Sequence, residues 1–291
     1  MNRSVFGASV QGASHKRKGM PCQDNYAIRN NSFAYPKASV KNSYYAGLGD
    51  DICIIAVADG HGSDSCPYSK TGSQIAVNVF CDIMAEFCFK FRDDMATLTR
   101  QLRSESDVIH VAQAIEIDWK KRARSNYILN KSRRDSVLNE EDEDEYAIYK
   151  LYGTTLLGML ITESFVFSFQ IGDGDITFVN ESSVYPMLEQ EKILGVETHS
   201  LAKKSAWTHS ISKLTMLNRY QELPMMFVLS TDGMVNSFIS ENEFRKSCQE
   251  YLSMIRDHGA NVIESNLPKW LNETSEQGCG DDTTVVFAYF D

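Results

Sequence analysis

The sequence predicts an α+β fold, an α/β/β/α sandwich of two antiparallel sheets with helices covering each outer side. Three observations carry that expectation. Short strand-like runs make up most of the chain. Amphipathic helical patterns come as one pair early and another pair late. The runs at 154–161, 164–171 and 176–179 follow one another too closely for the helical crossovers of a parallel sheet.

Taken in order, residues 4–13 and 24–30 are short apolar or alternating runs, read as two strands joined by the polar stretch SHKRKGMPCQD. Residues 33–50 hold a proline and several small residues and read as an exposed hairpin or loop. The unbroken apolar run 52–58 is a strand buried on both faces. A helix over 66–91 places Ile75, Val79, Ile83 and Phe87 on one face, and a second over 104–122 does the same with Val108, Val111, Ile115 and Trp119. The basic block at 120–134 and the acidic run at 140–145 should repel themselves and stay solvated, so 120–146 is expected to be a mobile loop. Next come the three-strand meander, a strand near 183–188 and a mixed loop around 195–215. A strand at 225–230, helices at 241–256 and 259–273, and a closing strand at 284–290 complete the chain.

Length alone, at 291 residues, leans towards two domains. The chemistry-bearing motifs argue for one domain over 1–291, because they run from Asp24 to Asp281 and one site drawn from both ends cannot be split. A formal charge of −10 disfavours nucleic acid as a partner. No apolar stretch is long enough for a membrane span, and the opening MNRSVFGASVQG lacks the apolar core of a secretory signal. The seven cysteines show no C-x-x-C pairing, so they read as small buried hydrophobes in a reducing cytoplasm rather than as zinc ligands.

Three aspartates mark the chemistry. Asp59 ends ICIIAVA and opens ADGHGS, Asp232 ends MMFVLST and opens DGM, and Asp281 sits before the last strand in GCGDDTTVVFAYF. A strand that stops at Asp-Gly delivers a carboxylate to a sheet edge without a side chain crowding it. Several such ends meeting in one place make an oxygen-rich pocket for hard divalent cations. Phosphate-ester hydrolysis is one reaction such a pocket serves: two metal ions and a bridging carboxylate supply an activated water and relieve charge on the phosphoryl oxygens. Asp59 suits the bridge, since it leaves the most apolar strand and is followed by Gly60, whose carbonyl can turn onto a metal. Asp24 follows a strand-linking loop and is expected to bind directly or through water. Magnesium or manganese fits an all-oxygen set.

The motifs also stand in a recognisable order: QDN at 23–25, ADGHGS at 58–63, YGTTLLGML at 152–160, IGDGDITFV at 171–179, LSTDGM at 229–234 and GDDTTVV at 280–286. Any one of them is common, and the series of six is the specific signal. It resembles the metal-dependent serine/threonine protein phosphatases of the type 2C family over nearly the whole chain, and the compact opening is similar to the family's bacterial-type branch. The resemblance implies hydrolysis of phosphoserine and phosphothreonine in proteins by metal-activated water, with a serine/threonine kinase system as counterpart. It implies two magnesium or manganese ions, with Asp232 and Asp281 completing one of them. It also implies a third, weaker metal at Asp173, although Gly174 replaces the usual small polar residue. His61 stands where a histidine is proposed as general acid for the leaving alkoxide, a task suited to imidazole, against the alternative of orienting water.

One departure concerns the substrate phosphate. The arginine that the family usually places before its first acidic motif is missing at the expected spacing, while His15, Lys16, Arg17 and Lys18 crowd that loop. His15 or Arg17 is the expected phosphate contact, against a merely solvated basic turn. Asp282 is expected to support Asp281 rather than to ligate, and Gly153, Thr154 and Thr155 to be structural. Two other readings stay open on the sequence: a phosphatase-like binding or regulatory module, and a hydrolase of small phosphoesters.

Overall fold

In the computed structural model, residues 3–130, 144–189, 199–218 and 223–291 are described. Among them are ten strands: β1 (Arg3–Val10), β2 (Asn25–Arg29), β3 (Cys53–Ala58), β4 (Leu156–Ile161), β5 (Phe165–Ile171), β6 (Asp175–Asn180), β7 (Val184–Pro186), β8 (Ile211–Met216), β9 (Met225–Ser230) and β10 (Thr283–Phe290). They form two sheets in the orders β1-β10-β9-β6-β7 and β2-β3-β4-β5-β8. Every pairing is antiparallel. The first and last strands are neighbours, with Arg3 opposite Phe290 and Val10 opposite Thr283.

The expected sandwich is present, and period-two alternation explains its layers. Along β3, Cys53, Ile55 and Val57 point between the sheets and meet Phe227, Leu229 and Val286 of the facing sheet. Ile54, Ala56 and Ala58 point outward, under the helices Ser69–Lys90 and Glu105–Asn130. The other sheet carries the helices Glu241–His258 and Ala260–Gln277, whose Phe244, Ile255, Leu267 and Leu271 cover Phe6, Val228 and Phe287. An antiparallel strand buried on both faces thus reads as a continuous apolar run, because a sheet lies on one side and helices on the other. No described helix is long and apolar enough to cross a membrane.

Several local expectations need correction. Residues 120–130 are not loop: the helix Glu105–Asn130 runs through them. The basic residues there hide a buried stripe, Trp119, Ala123 and Tyr127, at i+4 spacing. Two of them are paired one turn back, Lys120 with Glu116 and Arg122 with Asp118. Residues 145 and 146 belong to a further helix, Glu145–Lys150, capped by Asp144, whose side chain accepts from the Tyr146 amide. The remainder of that expected loop, 131–143, lies outside the described residues.

The stretch 33–50 is also no exposed hairpin. It contains the helix Lys41–Ala46, and Tyr45 is completely buried. The hydroxyls of Tyr35 and Tyr45 donate to Asp82 at 2.9 and 2.8 Å, which lets both rings pack inward with their polar ends satisfied. A helix at Met95–Arg103, started by an Asp94 cap on the Thr97 amide, was not legible beforehand. The polar linker SHKRKGMPCQD contains the helix Ala13–Lys18, and β8 occupies part of the expected mixed loop.

Candidate active site

One end of the sandwich gathers the ends of β3 and β9 and the starts of β2, β6 and β10. Asp59 leaves β3 there, and the chain beside β4 grips its backbone. The Asp59 amide donates to Thr155 Oγ1 at 3.0 Å, and the Asp59 carbonyl accepts from the Thr155 amide at 2.9 Å and from Thr154 Oγ1 at 2.7 Å. The next two residues continue this antiparallel contact, Gly60 bridging to Thr154 and the His61 amide donating to the Gly153 carbonyl. Gly60 is required by crowding: a Cβ there would lie 2.7 Å from the Gln23 carbonyl and 2.8 Å from that of Ser69.

Asp232 opens a one-turn helix after β9, and its Oδ2 accepts from Asn236 Nδ2 at 3.1 Å. Gly233 lets that turn sit against the last loop, since a Cβ on it would fall 1.9 Å from the Asp282 carbonyl oxygen. Asp282 is buried and ties three segments together, accepting from the Gly12 amide at 2.7 Å and the Gln23 amide at 2.6 Å, with His15 Nδ1 2.9 Å away but unaligned for a hydrogen bond. Asp282 is therefore a structural strut, as expected. Its neighbour Asp281 is half exposed and stands 3.5 Å from His15 Nε2.

Carboxylate oxygens of Asp59, Asp173 and Asp232 lie within 4.8 Å of one another. Burial raises the Asp59 carboxyl well above its ordinary range, and Asp24, Asp232 and Asp281 add to the effect. Burial and then Asp173 push Asp232 up to about 6. Asp24, buried behind Asp59, is pushed up to about 7 by burial and then by Asp282. One of its oxygens accepts from Thr231 Oγ1 at 2.8 Å, and the other is buried with no hydrogen-bond partner. At about 4 Å two like charges near a protein surface repel by roughly 4 kcal/mol, so such a cluster needs protons or cations between its members. Its donors are all oxygen, an orphaned buried carboxylate oxygen stands ready, and no lysine or arginine is interposed. This set fits magnesium or manganese.

The carboxylates form the floor of a cavity of about 400 Å³ lined by Asp59, Gly60, His61, Asp173, Asp232 and Asp281, with Ser14, His15 and Lys18 on one wall. A larger groove of about 880 Å³ beside Trp207 and Leu214 has a mostly apolar lining with isolated charges and no comparable cluster. The expected site residues are thus brought together with two exceptions. Asp24 sits behind the floor rather than on it. Arg17 is exposed and is not part of the lining. Lys18 was passed over in its favour. The missed signal is helical spacing: with 13–18 read as a helix, Ser14, His15 and Lys18 share one face.

Two antiparallel sheets delivering a carboxylate cluster to one end define a metal-dependent hydrolase. The family model for protein phosphatase 2C matches residues 11–272, and the chain belongs to that family. Its activity is that of a metal-dependent protein-serine/threonine phosphatase, and the family uses magnesium or manganese. Similar solved structures include the serine/threonine phosphatase of S. agalactiae, at 13% identity and a TM-score of 0.59 with 100% of both chains covered. The Mycobacterium tuberculosis serine/threonine phosphatase PstP is likewise similar, at 13% identity and a TM-score of 0.53 with 100% of both chains covered. The catalytic domain of PstP in complex with 2 manganese ions gives 14% identity and a TM-score of 0.53 over 99% of each chain. At these identities the likeness speaks for the fold. No curated protein matches the chain.

Proposed function

We propose that this chain dephosphorylates serine and threonine side chains with two magnesium or manganese ions held at the cavity floor, and with room for a third at Asp173. The carrying observation is the convergence of Asp59, Asp173 and Asp232 beneath a rim that bears His61 and Lys18. Bound there, the metal ions supply Lewis acidity, lowering the pKa of a water and relieving charge on the phosphoryl oxygens. Asp59 is the bridging ligand, backed by the Gly60 carbonyl, and Asp232 and Asp281 complete one ion. Asp24, with its unpartnered oxygen, holds Asp59 in place from behind and reaches a metal through water.

His61 lies on the same wall as Gly60 and is placed to give a proton to the departing alkoxide of serine or threonine. Lys18 projects into the cavity as a point charge for the phosphoryl oxygens, the part expected of His15 or Arg17. His15, nine-tenths buried between Asp281 and Asp282, orients the Asp281 carboxylate instead. A phosphorylated protein is the substrate and a serine/threonine kinase system the counterpart. A reducing cytoplasm suits the seven free cysteines.

The test is turnover of a phosphothreonine peptide and of p-nitrophenyl phosphate, with and without manganese. Manganese-dependent turnover of both is expected. Activity confined to p-nitrophenyl phosphate would favour a small phosphoester as substrate, and no turnover of either would favour a binding module.

A further inference from the structure

We propose that Arg17 and Lys18 form a docking surface for acidic residues flanking the phosphorylated side chain, so that the preferred substrates are phosphoprotein segments rich in aspartate or glutamate around the phosphosite. This rests on the phosphatase reading above and names the substrate class within it.

The two cations occupy the last turn of the helix Ala13–Lys18, which ends in the left-handed Gly19 (φ 69°). The helix is pinned to the wall beside Asp281. The Ser14 amide and hydroxyl both donate to the Gly280 carbonyl, at 2.8 and 2.6 Å, and the Ala13 amide donates to Ser275 Oγ at 3.0 Å. Its three consecutive cations then diverge. Lys16 Nζ is drawn away from the cavity onto Asn272 Oδ1. Lys18 enters the cavity lining. Arg17 crosses the rim, its Nη2 3.8 Å from where a Cβ of Gly280 would stand, next to the lining residues Cys279 and Asp281.

Among the described residues neither Arg17 nor Lys18 has a carboxylate partner, in a chain with a formal charge of −10. Elsewhere on the surface, Arg245 and Arg256 are held by Glu241, Glu181 and Asp257. Once divalent ions balance the four floor carboxylates, the rim is left with two uncommitted positive charges beside the place of the phosphoryl group. A peptide laid across the rim with its phosphate on the floor passes its neighbouring residues over Arg17. The planar guanidinium there can take a carboxylate bidentately, which selects aspartate or glutamate.

The experiment compares kcat/KM on three phosphothreonine peptides that differ only in flanking glutamate, glutamine or lysine, with manganese, at low salt and at about 0.5 M salt. The preference ratio is internal to each enzyme, so partial misfolding of a variant cancels. Wild type should favour the glutamate peptide over the glutamine peptide by about five- to tenfold, the scale of two exposed ion pairs, and the ratio should approach one at high salt. Arg17→Glu should reverse the order in favour of the lysine peptide, a gain that damage to the fold cannot mimic. A wild-type ratio near one, or a preference untouched by Arg17→Glu, overturns the docking surface and leaves the phosphatase reading standing. Wild type that turns over p-nitrophenyl phosphate but none of the peptides overturns both.

Discussion

The hydroxyl of Thr154 donates to the backbone carbonyl of Asp59 at 2.7 Å, so the residue that opens the turn into β4 fixes the carboxylate at the end of β3. Thr154 is itself fully buried, and Ser200 Oγ and the Leu201 amide donate to its carbonyl at 3.2 and 3.0 Å. A side chain that holds a ligand's backbone acts on the geometry of the metal site without touching substrate. Thr154→Val should therefore raise the manganese concentration needed for half-maximal activity by about 10–100-fold, with most turnover regained at saturating metal. Titration of activity against manganese checks this, and an unchanged half-saturation point would reduce Thr154 to packing.

Asp59→Asn removes the proposed bridge and the charge that offsets the metal ions. Activity should be absent without added magnesium or manganese in the wild type, and the variant should keep less than a tenth of wild-type turnover at saturating manganese. Retention of more than that would contradict a bridging role for Asp59.

His61→Gln separates leaving groups. Nitrophenolate departs without a proton and an alkoxide does not. Turnover of a phosphothreonine peptide should fall by about 10²–10⁴-fold, the usual size of general acid catalysis, while p-nitrophenyl phosphate loses far less. Equal losses on the two substrates would assign His61 to orienting water.

Asp82 ties the segment 35–45 and the helix Glu105–Asn130 onto the helix Ser69–Lys90. It accepts from Tyr35, Tyr45, Lys41 Nζ at 2.7 Å and Arg122 Nη2 at 2.6 Å. Burial pushes this carboxyl up, but Lys41 and Arg122 outweigh that and hold it below the ordinary carboxylate range. A depressed folded-state pKa contributes stability that is present above the unfolded value, about 3.9, and is lost as pH falls through the lower folded value. Asp82→Asn should cost about 3 kcal/mol at pH 7, the lower end for breaking a buried pair, since Lys41 and Arg122 are partly solvated. Urea unfolding should show the gap between variant and wild type narrowing below about pH 4. A gap independent of pH would mean that packing rather than charge is lost.

Much of this protein was legible along the chain. Unbroken apolar runs such as 53–58 and 225–230 marked strands buried on both faces, and Asp-Gly at their ends marked where carboxylates would emerge. Those signals are local, because strand period and turn chemistry depend on neighbours a few residues apart. Composition misled where charge concealed periodicity. The basic residues at 120–124 looked like a solvated block, yet Trp119, Ala123 and Tyr127 carry the helix inward, and the lysines and arginines merely cover its other side.

What only the tertiary structure decided is which side chains face the same space. Asp24 and Asp59 are both strand-end aspartates in sequence, yet Asp24 lies beneath the floor on Thr231 while Asp59 lines the cavity, because β2 is an edge strand and β3 its inner neighbour. His15, Arg17 and Lys18 are nearly adjacent in sequence, and one turn of helix sends the first between Asp281 and Asp282, the second over Gly280 and the third into the cavity. Residue type and local period settled the elements and the chemistry. Direction at the site depended on contacts between residues more than 200 positions apart, such as Gln23 with Asp282, which no local pattern encodes.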